Sequence, residues 1–556
     1  MSRYSIGLDF GTESVRAVVV DVADGTVVAS AVSVYPEGVI DRQLPGSAVR
    51  LPGEWALQSS TDWLTSMEAA VREAVAGAGI EPHDVLGIGI DFTACTVLPT
   101  TADGVPLHTL PAGRDNPHAW PKLWKHHAAQ PQADRVNAAA GDRNERWLAR
   151  YGGRISSEWL LPKALEILEA APQTYAAAER IVEGADWVVW QVTGRLARNA
   201  CAAGYKGTWH ATDGYPSEAF LATLQPGLAD LYTTRIVGPV LAPGSVVGEL
   251  TPAWAERLGL AAGTPVAAPI IDAHAAVLGG GIAGPGAMFI MMGSSSCHML
   301  MAEREVLAEG LSGVVEGGIV PGLFAYEAGQ AGVGDILAWF VRSGVPPALH
   351  DEAARRGRSL HAVLSEQAAA IRPGESGLLA LDWWNGCRTP LVDANLSGAV
   401  LGYTLQTTLA EIYRALIEAT AFGTRLIVDT FGQAGLPIDR LCVGGGLTQN
   451  DLVLDIYAGV TGLPVEVAAV EQASALGAAI LGAVAGGAFG DVREAVLAMT
   501  QPPARVVAPR AADTAVYTAL YGEYRRLVDL MGRDPESPLK RLRTLRAEAR
   551  ESPRTV

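Results

Sequence analysis

Cysteine is scarce in this chain. Five residues in 556, Cys95, Cys201, Cys297, Cys387 and Cys442, form no C-x-x-C pair and make an odd count. That argues against a disulfide framework and a structural zinc site, and fits thiols kept reduced in a cytoplasmic protein. Positive charge is also short: 42 Lys plus Arg against 59 Asp plus Glu leave a formal net charge of −17. Such a surface repels phosphate backbones, so nucleic acid is not an expected partner. Long apolar runs are missing as well. Ser474 to Phe489 carries no charge but is too short and glycine-rich to span a bilayer. The opening MSRYSIGLDF runs into a strand and lacks the apolar core of a signal peptide. Absent too is any G-x-x-x-x-G-K-[ST], which excludes a P-loop of the usual kind.

What is present is core-forming material. The chain is 49% hydrophobic, 18% charged and 6% aromatic, far from the make-up of disordered sequences. Its length corresponds to about four domain-sized units. With 62 glycines and abundant Ala and Val, it reads as α/β with many tight turns.

The first 35 residues predict three consecutive strands. Tyr4, Ile6, Leu8 and Phe10 alternate with small or polar residues, Gly11–Ser14 form a turn into Val15–Asp21, and Asp24-Gly25 signals a hairpin into Thr26–Val34. A helix follows, with Ser60, Thr61 or Asp62 as its cap, and then a strand over Val85–Asp91. The second half opens alike: a strand Met288–Met292, the turn Gly293–Ser296, a return over Cys297–Ala302 and a third strand over Ile319–Tyr326. Helices are expected over Gly334–Arg342 and Thr408–Phe431, then a strand at Arg440–Val443, glycines 444–446 and a helix capped by Thr448. A further strand, Val465–Val467, and an Ala/Gly-rich helix from Ala473 complete this half. Two halves with one pattern suggest internal duplication, with a hinge at Gly279–Gly286, where GGGIAGPG clusters chain breakers. The segment from Asp534 to Val556, with Pro535, Pro538 and Pro553, is expected to be a loosely attached tail.

Four segments suit phosphate chemistry. Asp9, ending a strand, would order Mg²⁺ through its waters. Gly11 lets the backbone approach phosphate, Thr12 and Ser14 donate hydrogen bonds, and Arg16 lies near the transferring group. An ordinary hairpin fits the same residues. Gly293, Ser294 and Ser295 stand at the matching place of the second half, and paired loops would clamp a polyphosphate. Gly444, Gly445 and Gly446, before Asn450, make a strand-to-helix turn suited to an anion or to close packing. Asp272 follows an apolar strand beside the hinge. It suits a general base, a helix cap or a satisfied buried acid. His274 reads as a structural neighbour, since no second histidine stands at ligand spacing.

In this order and at these separations, the segments resemble the FGGY family of carbohydrate kinases over nearly the whole chain, Tyr4 to about Gly490. Within it, Trp124-Lys125-His126-His127-Ala128, Tyr151-Gly152-Gly153, Ser156-Ser157-Glu158-Trp159, Ala203-Gly204-Tyr205-Lys206, Trp209-His210, Asp272-Ala273-His274 and Tyr326-Glu327-Ala328-Gly329-Gln330 look closest to the ribulokinases. Glycerol and xylulose kinases typically carry W-x-D-x-R where this chain has Trp124-Lys125-His126-His127, so their sugar pocket does not transfer. Gly293-Ser294-Ser295 stands where many relatives have Gly-Thr-Ser.

The resemblance implies two actin-like (ribonuclease H-like) ATPase domains flanking a cleft. These are a sugar-binding domain over 1–283, a nucleotide-binding domain over 284–500, and a C-terminal helix and tail over 501–556. It implies ATP with Mg²⁺, a sugar substrate and, as one arrangement, a homodimer. Residue by residue, Asp272 becomes the base, and its pKa need not be raised. Ala94, Lys206, Asp272 and Glu327 would meet the sugar. Asp9, Gly11, Thr12, Ser14, Arg16, Gly293, Ser294, Ser295, Gly444, Gly445, Gly446 and Asn450 would surround the nucleotide. L-Ribulose is the expected substrate, converted to L-ribulose 5-phosphate. D-ribulose, xylulose or a pentitol are the alternatives, and an actin-like non-kinase ATPase or sugar sensor is the rival of another class.

Overall fold

The computed structural model describes residues 3–307 and 310–551. The end of the expected tail, 552–556 with Pro553, lies outside the described residues, as do residues 1–2. The first half builds a seven-stranded sheet. Strands β1 (Tyr4–Phe10), β2 (Ser14–Asp21) and β3 (Val27–Val34) form an antiparallel meander. Gly25 at the second hairpin takes φ 76°, the left-handed conformation such a turn needs. After α1 (Ser60–Ala78), β4 (Val85–Phe92) runs parallel to β1 with Asp9 beside Asp91. β5 (Val246–Glu249), β6 (Pro265–Ala267) and the two-residue β7 (Ile270–Ile271) complete the order β3-β2-β1-β4-β6-β5, with β7 also on β4.

The second half repeats the topology. β8 (Gly286–Met292), β9 (Ser296–Ala302), β10 (Gly313–Glu316), β11 (Phe324–Gln330), β12 (Ile438–Gly444), β13 (Val465–Val467) and β14 (Arg505–Val507) are ordered β10-β11-β9-β8-β12-β13-β14. Apart from β10, each sheet is three antiparallel strands, then two parallel neighbours, then an antiparallel edge. The expected strand over Ile319–Tyr326 is shifted. Pro321-Gly322 makes a turn and pairing starts at Phe324, because proline cannot donate to the ladder. The strand then runs on to Gln330 and carries Glu327.

Helices α2 (Asp272–Gly279), α3 (Leu409–Gln433) and α4 (Ala473–Ala485) complete the frame. A capping box of Thr408 and Glu411 starts α3, whose inner face fills the core of the second half. α4 belongs to the second half by sequence, yet it crosses α2 and lies on β1 and β4. Glycines at alternate positions permit this. A Cβ at Gly7 would sit 2.0 Å from the Ala475 carbonyl oxygen, and one at Gly89 would sit 1.8 Å from that of Ala478. On the helices, a Cβ at Gly477 would meet the Ala275 oxygen at 1.9 Å. Backbone therefore rests on backbone, and residues of both halves share one core.

Gly89→Val is expected to destabilise the protein by at least about 3 kcal/mol, since neither backbone can yield. Gly141→Ala, in an open helical position, should gain roughly 0.5–1 kcal/mol. Thermal denaturation of both variants checks the argument, and equal melting temperatures would overturn it.

The segment after Asp534, expected as a loose tail, forms a helix over Pro538–Glu551 that docks. Leu539 is buried, Lys540 pairs with Asp393 at 3.6 Å, and Arg543 donates to the Ala394 carbonyl at 3.0 Å. Among the described residues all five cysteines are free, and no helix is long and apolar enough to cross a membrane.

Candidate active site

Parallel strands β1, β4 and β7 end on one side of the first sheet, where open α/β sheets offer a crevice. Each delivers a carboxylate there. Asp9 lies in register with Asp91, Asp91 with Ile270, and Asp272 begins α2 directly after β7. Arg16, opposite Asp9 on β2, donates to Asp9 Oδ2 at 3.1 Å. Among the described residues no donor group reaches either oxygen of Asp91, whose polar neighbour is the Asp9 carboxyl. Burial, then the charges of Asp9 and Asp272, hold its carboxyl well above the ordinary range. Burial also raises Asp9, against the pull of Asp91 and Arg16.

Asp272 is pushed up to about 7 by burial, with Asp9 and Glu327 adding to the shift and the N–H of Ala273, at 2.7 Å, opposing it. The sequence reading asked for no raised pKa here. The structure supplies one, because protein surrounds the carboxyl and the acids Asp9 and Glu327 lie near it. Among the described residues the Ala273 N–H donates the one hydrogen bond that the Asp272 carboxylate accepts, at the first residue of α2. Asp91, the last residue of the strand expected over Val85–Asp91, has no role in the sequence reading. Its register opposite Asp9 is the signal that was missed.

The two small-residue loops lie at the ends of equivalent strands. Gly11 donates to the Ser14 carbonyl at 2.9 Å, while Thr12 Oγ1 accepts from Trp124 Nε1 at 3.1 Å. In the second half, Gly293 donates to the Ser295 carbonyl at 2.9 Å, and the N–H groups of Val333 and Gly334 hold the loop at 2.8 and 3.0 Å. The Ser294 and Ser295 hydroxyls make no hydrogen bond among the described residues, and Ser294 is exposed. Gly445 takes φ 96°, and a Cβ there would lie 2.4 Å from the Met292 oxygen. The turn Gly444–Gly446 therefore abuts the Gly293 loop.

Asn450 has a structural task beside the glycine turn. Its Oδ1 caps the helix Asp451–Thr461 through the Leu452 N–H, and its Nδ2 donates to Ser365 Oγ at 2.8 Å. Thr448, the expected cap, sits in a preceding single turn, Gly446–Gln449, because the glycines tighten the chain before the helix begins.

Lys206 and Glu327 meet each other. Lys206 follows the short helix Ala200–Tyr205 of the first half, and its Nζ donates to both Glu327 oxygens at 2.9 Å. His274 Nε2 lies 3.5 Å from Glu327 Oε2. Burial alone would raise Glu327, but Lys206 and His274 outweigh it and leave the carboxyl below its ordinary value. Burial likewise opposes the Lys206 charge, and Glu327 raises it.

Ala94 sits in a turn whose next residue, Cys95, has φ 57°. The buried Lys163 ties this turn down, donating to the carbonyls of Cys95 at 2.6 Å and Leu123 at 2.9 Å. The neighbouring His126 belongs to a second buried set, with Lys122 and His126 on Glu166 at 3.2 and 3.1 Å. Lys163, Lys122 and Glu166 escaped the sequence reading, because nothing local marks a lysine or glutamate as buried.

Comparison with known proteins identifies the family. The model of the FGGY carbohydrate kinase N-terminal domain matches residues 4–279, and that of the C-terminal domain matches 288–486. A ribulokinase of Shouchella clausii is 50% identical over 555 residues, 99% of each chain. One of Mycolicibacterium smegmatis is 51% identical over 552 residues, 98% of this chain and 97% of that protein. Among solved structures, a xylulose kinase from Rhodospirillum rubrum superposes with TM-score 0.78 at 24% identity, covering 95% and 98% of the two chains. A glycerol kinase from Plasmodium falciparum superposes at 0.75 and 16% identity, covering 94% and 98%. The duplicated sheets are thus the two-domain actin-like fold of such kinases. With both family models matched across the joint that α2 and α4 form, the chain belongs to the FGGY family of carbohydrate kinases.

Proposed function

We propose that this kinase transfers the γ-phosphoryl group of ATP to the 5-hydroxyl of L-ribulose, giving L-ribulose 5-phosphate. The observation that carries the reading is the position of Asp272. This half-buried carboxylate follows β7, lies near enough to Asp9 and Asp91 for their charges to act on one another, and is acted on as well by Lys206 and Glu327. The near full-length ribulokinase relatives support the choice of sugar. We assign residues 1–283 to the sugar lobe and 284–500 to the nucleotide lobe.

Phosphoryl transfer needs alignment and charge stabilisation more than covalent help. The Gly11–Ser14 and Gly293–Ser295 loops receive the β- and γ-phosphates, with the free Ser294 and Ser295 hydroxyls as donors. Gly444–Gly446 accommodates the nucleotide, and Asn450 supports that turn by capping the helix behind it. Lys206 donates to sugar oxygens, Glu327 accepts from sugar hydroxyls, and Ala94 leaves room beside them. The 5-hydroxyl oxygen attacks phosphorus, its proton passes to Asp272, and the bond to the β-phosphate oxygen breaks to release ADP. Closure of the lobes excludes water, the competing acceptor.

The residues fit a hydrated Mg²⁺. The part-exposed Asp9 and the buried Asp91 beside it form an acidic pair, and no group of three ligating side chains among the described residues would strip the ion's water. Held there through water, the ion would neutralise charge on the phosphates.

The test couples ADP formation to NADH loss across L-ribulose, D-ribulose, D-xylulose, L-xylulose, ribitol, L-arabinitol and glycerol. L-Ribulose is expected to give the highest kcat/KM. A higher value with another polyol overturns the substrate while leaving the chemistry, and ADP release unaffected by every sugar overturns both.

A further inference from the structure

Arg388 is a cation that the proposed reaction leaves without a task. The backbone beside it extends the edge of β11 past the end of β10. Thr389 N–H donates to the Gly329 carbonyl at 3.1 Å, and Gly329 N–H donates to Thr389 Oγ1 at 3.2 Å. A Cβ on Gly329 would lie 3.2 Å from Arg388 Cδ and 3.3 Å from its Nη1. The bare Cα of Gly329 is thus the seat on which the arginine side chain rests. Successive strand residues point to opposite faces, so Gly329 and Glu327, two apart on β11, share one face. The guanidinium consequently lies on the side of the strand where Glu327 meets Lys206. It is half-buried and makes no hydrogen bond or ion pair among the described residues. Guanidinium groups in such surroundings ordinarily find a bidentate acceptor.

Its surroundings identify what is missing. Burial works against the charge of Arg388, and Glu158 of the first half, the Cys297 thiol, Glu327 and the Cys95 thiol outweigh it. Cys95 belongs to the Ala94 turn and Glu158 to the same half, so Arg388 lies within electrostatic reach of the first half. The groups acting on Asp272 are instead Asp9, Glu327 and Lys206. Glu327 is common to both sets, and Arg388 and Asp272 both act on Cys297, so the Lys206–Glu327 pair is a neighbour that the base and the arginine share. A five-carbon chain with its reacting hydroxyl at Asp272 and its middle hydroxyls at the pair directs its other end towards Arg388. In a ketopentose that end carries the C2 carbonyl, which only accepts hydrogen bonds, and the guanidinium only donates.

We infer that Arg388 is a specificity-determining residue, donating from the nucleotide lobe to the carbonyl end of the bound ketopentose. The inference rests on the ketopentose reading above. It adds that the sugar is gripped by both lobes, so the bond to Arg388 completes on closure.

The experiment compares wild type, Arg388→Met and Arg388→Lys in the coupled assay with L-ribulose and with ribitol, which lacks the carbonyl. KM for ATP and the melting temperature are measured beside them. Arg388→Met is expected to raise KM for L-ribulose roughly 10- to 100-fold, the range for losing a hydrogen bond to a charged donor. KM for ribitol should change far less, KM for ATP should stay within about threefold, and Arg388→Lys should recover part of the loss. An unchanged KM for L-ribulose overturns the inference. So does an equal loss with both sugars, or a rise in both sugar and ATP KM with a lowered melting temperature, either of which marks a packing role only. A wild type that turns over no ketopentose overturns the substrate reading and this inference with it. An active wild type with an indifferent Arg388→Met overturns this inference alone.

Discussion

Replacing Asp272 with asparagine lowers kcat for sugar phosphorylation by roughly 10²- to 10⁴-fold, the span that positioned general bases contribute, and leaves KM for ATP nearly unchanged. The asparagine keeps the shape and the hydrogen bond from the Ala273 N–H but cannot take the proton. The pH profile gives a second readout. Asp272 must be ionised to act and its carboxyl titrates at about 7, so wild-type kcat/KM for the sugar should rise with pH through about 7. That limb should vanish in Asp272→Asn. Stability runs the other way. A carboxyl raised on folding contributes most while protonated, and that contribution is lost as pH rises from the ordinary 3.8 towards 7. At pH 8 the ligand-free Asp272→Asn protein should therefore melt no lower than wild type. Retained activity, or a surviving limb near 7, would remove Asp272 from the base's role.

The second large effect comes from the ion pair that joins the lobes. Lys206 and Glu327 are both buried, and each would otherwise be an isolated charge. Glu327→Gln or Lys206→Met is expected to cost about 3–5 kcal/mol, because the remaining partner stays buried and unpaired. The double variant should recover much of that loss while failing to bind sugar. The Glu327 contribution is complete above its ordinary value of 4.5 and disappears as the pH falls through its lower folded value. Acid should therefore narrow the difference between wild type and Glu327→Gln. Chemical denaturation of the four proteins at pH 7 and at about pH 4 tests this. Additive losses in the double variant would show that the two side chains do not act as a pair.

Much of the frame was legible in the residues. Period-two alternation in Tyr4–Phe10, the Asp24-Gly25 hairpin and the matching turns Gly11–Ser14 and Gly293–Ser296 record short-range geometry. A strand and its tight turn are specified within a few residues. The third strand of the second half was misplaced by a few residues, since Ile319-Val320 looks apolar enough to pair and only Pro321-Gly322 says otherwise. Thr448 is the expected cap and Asn450 takes that place in the structure, since both residue types cap helices and only the intervening turn decides which one does.

The amino-acid sequence by itself determined the α/β class, the repeated strand pattern, the acid at the end of each strand and the glycines that let helix backbone lie on sheet backbone. Each follows from the conformational preferences of residues that are neighbours along the chain. Only the tertiary structure decided which distant residues meet. Asp91 stands beside Asp9 because β1 and β4 pair in parallel. Lys206 reaches Glu327 across 121 positions because the two halves close on one cleft. Asp272 is pushed up to about 7 because the fold surrounds it with protein and places Asp9 and Glu327 nearby. Burial and through-space charge depend on what the folded chain places around a group, and no local pattern of residues encodes them.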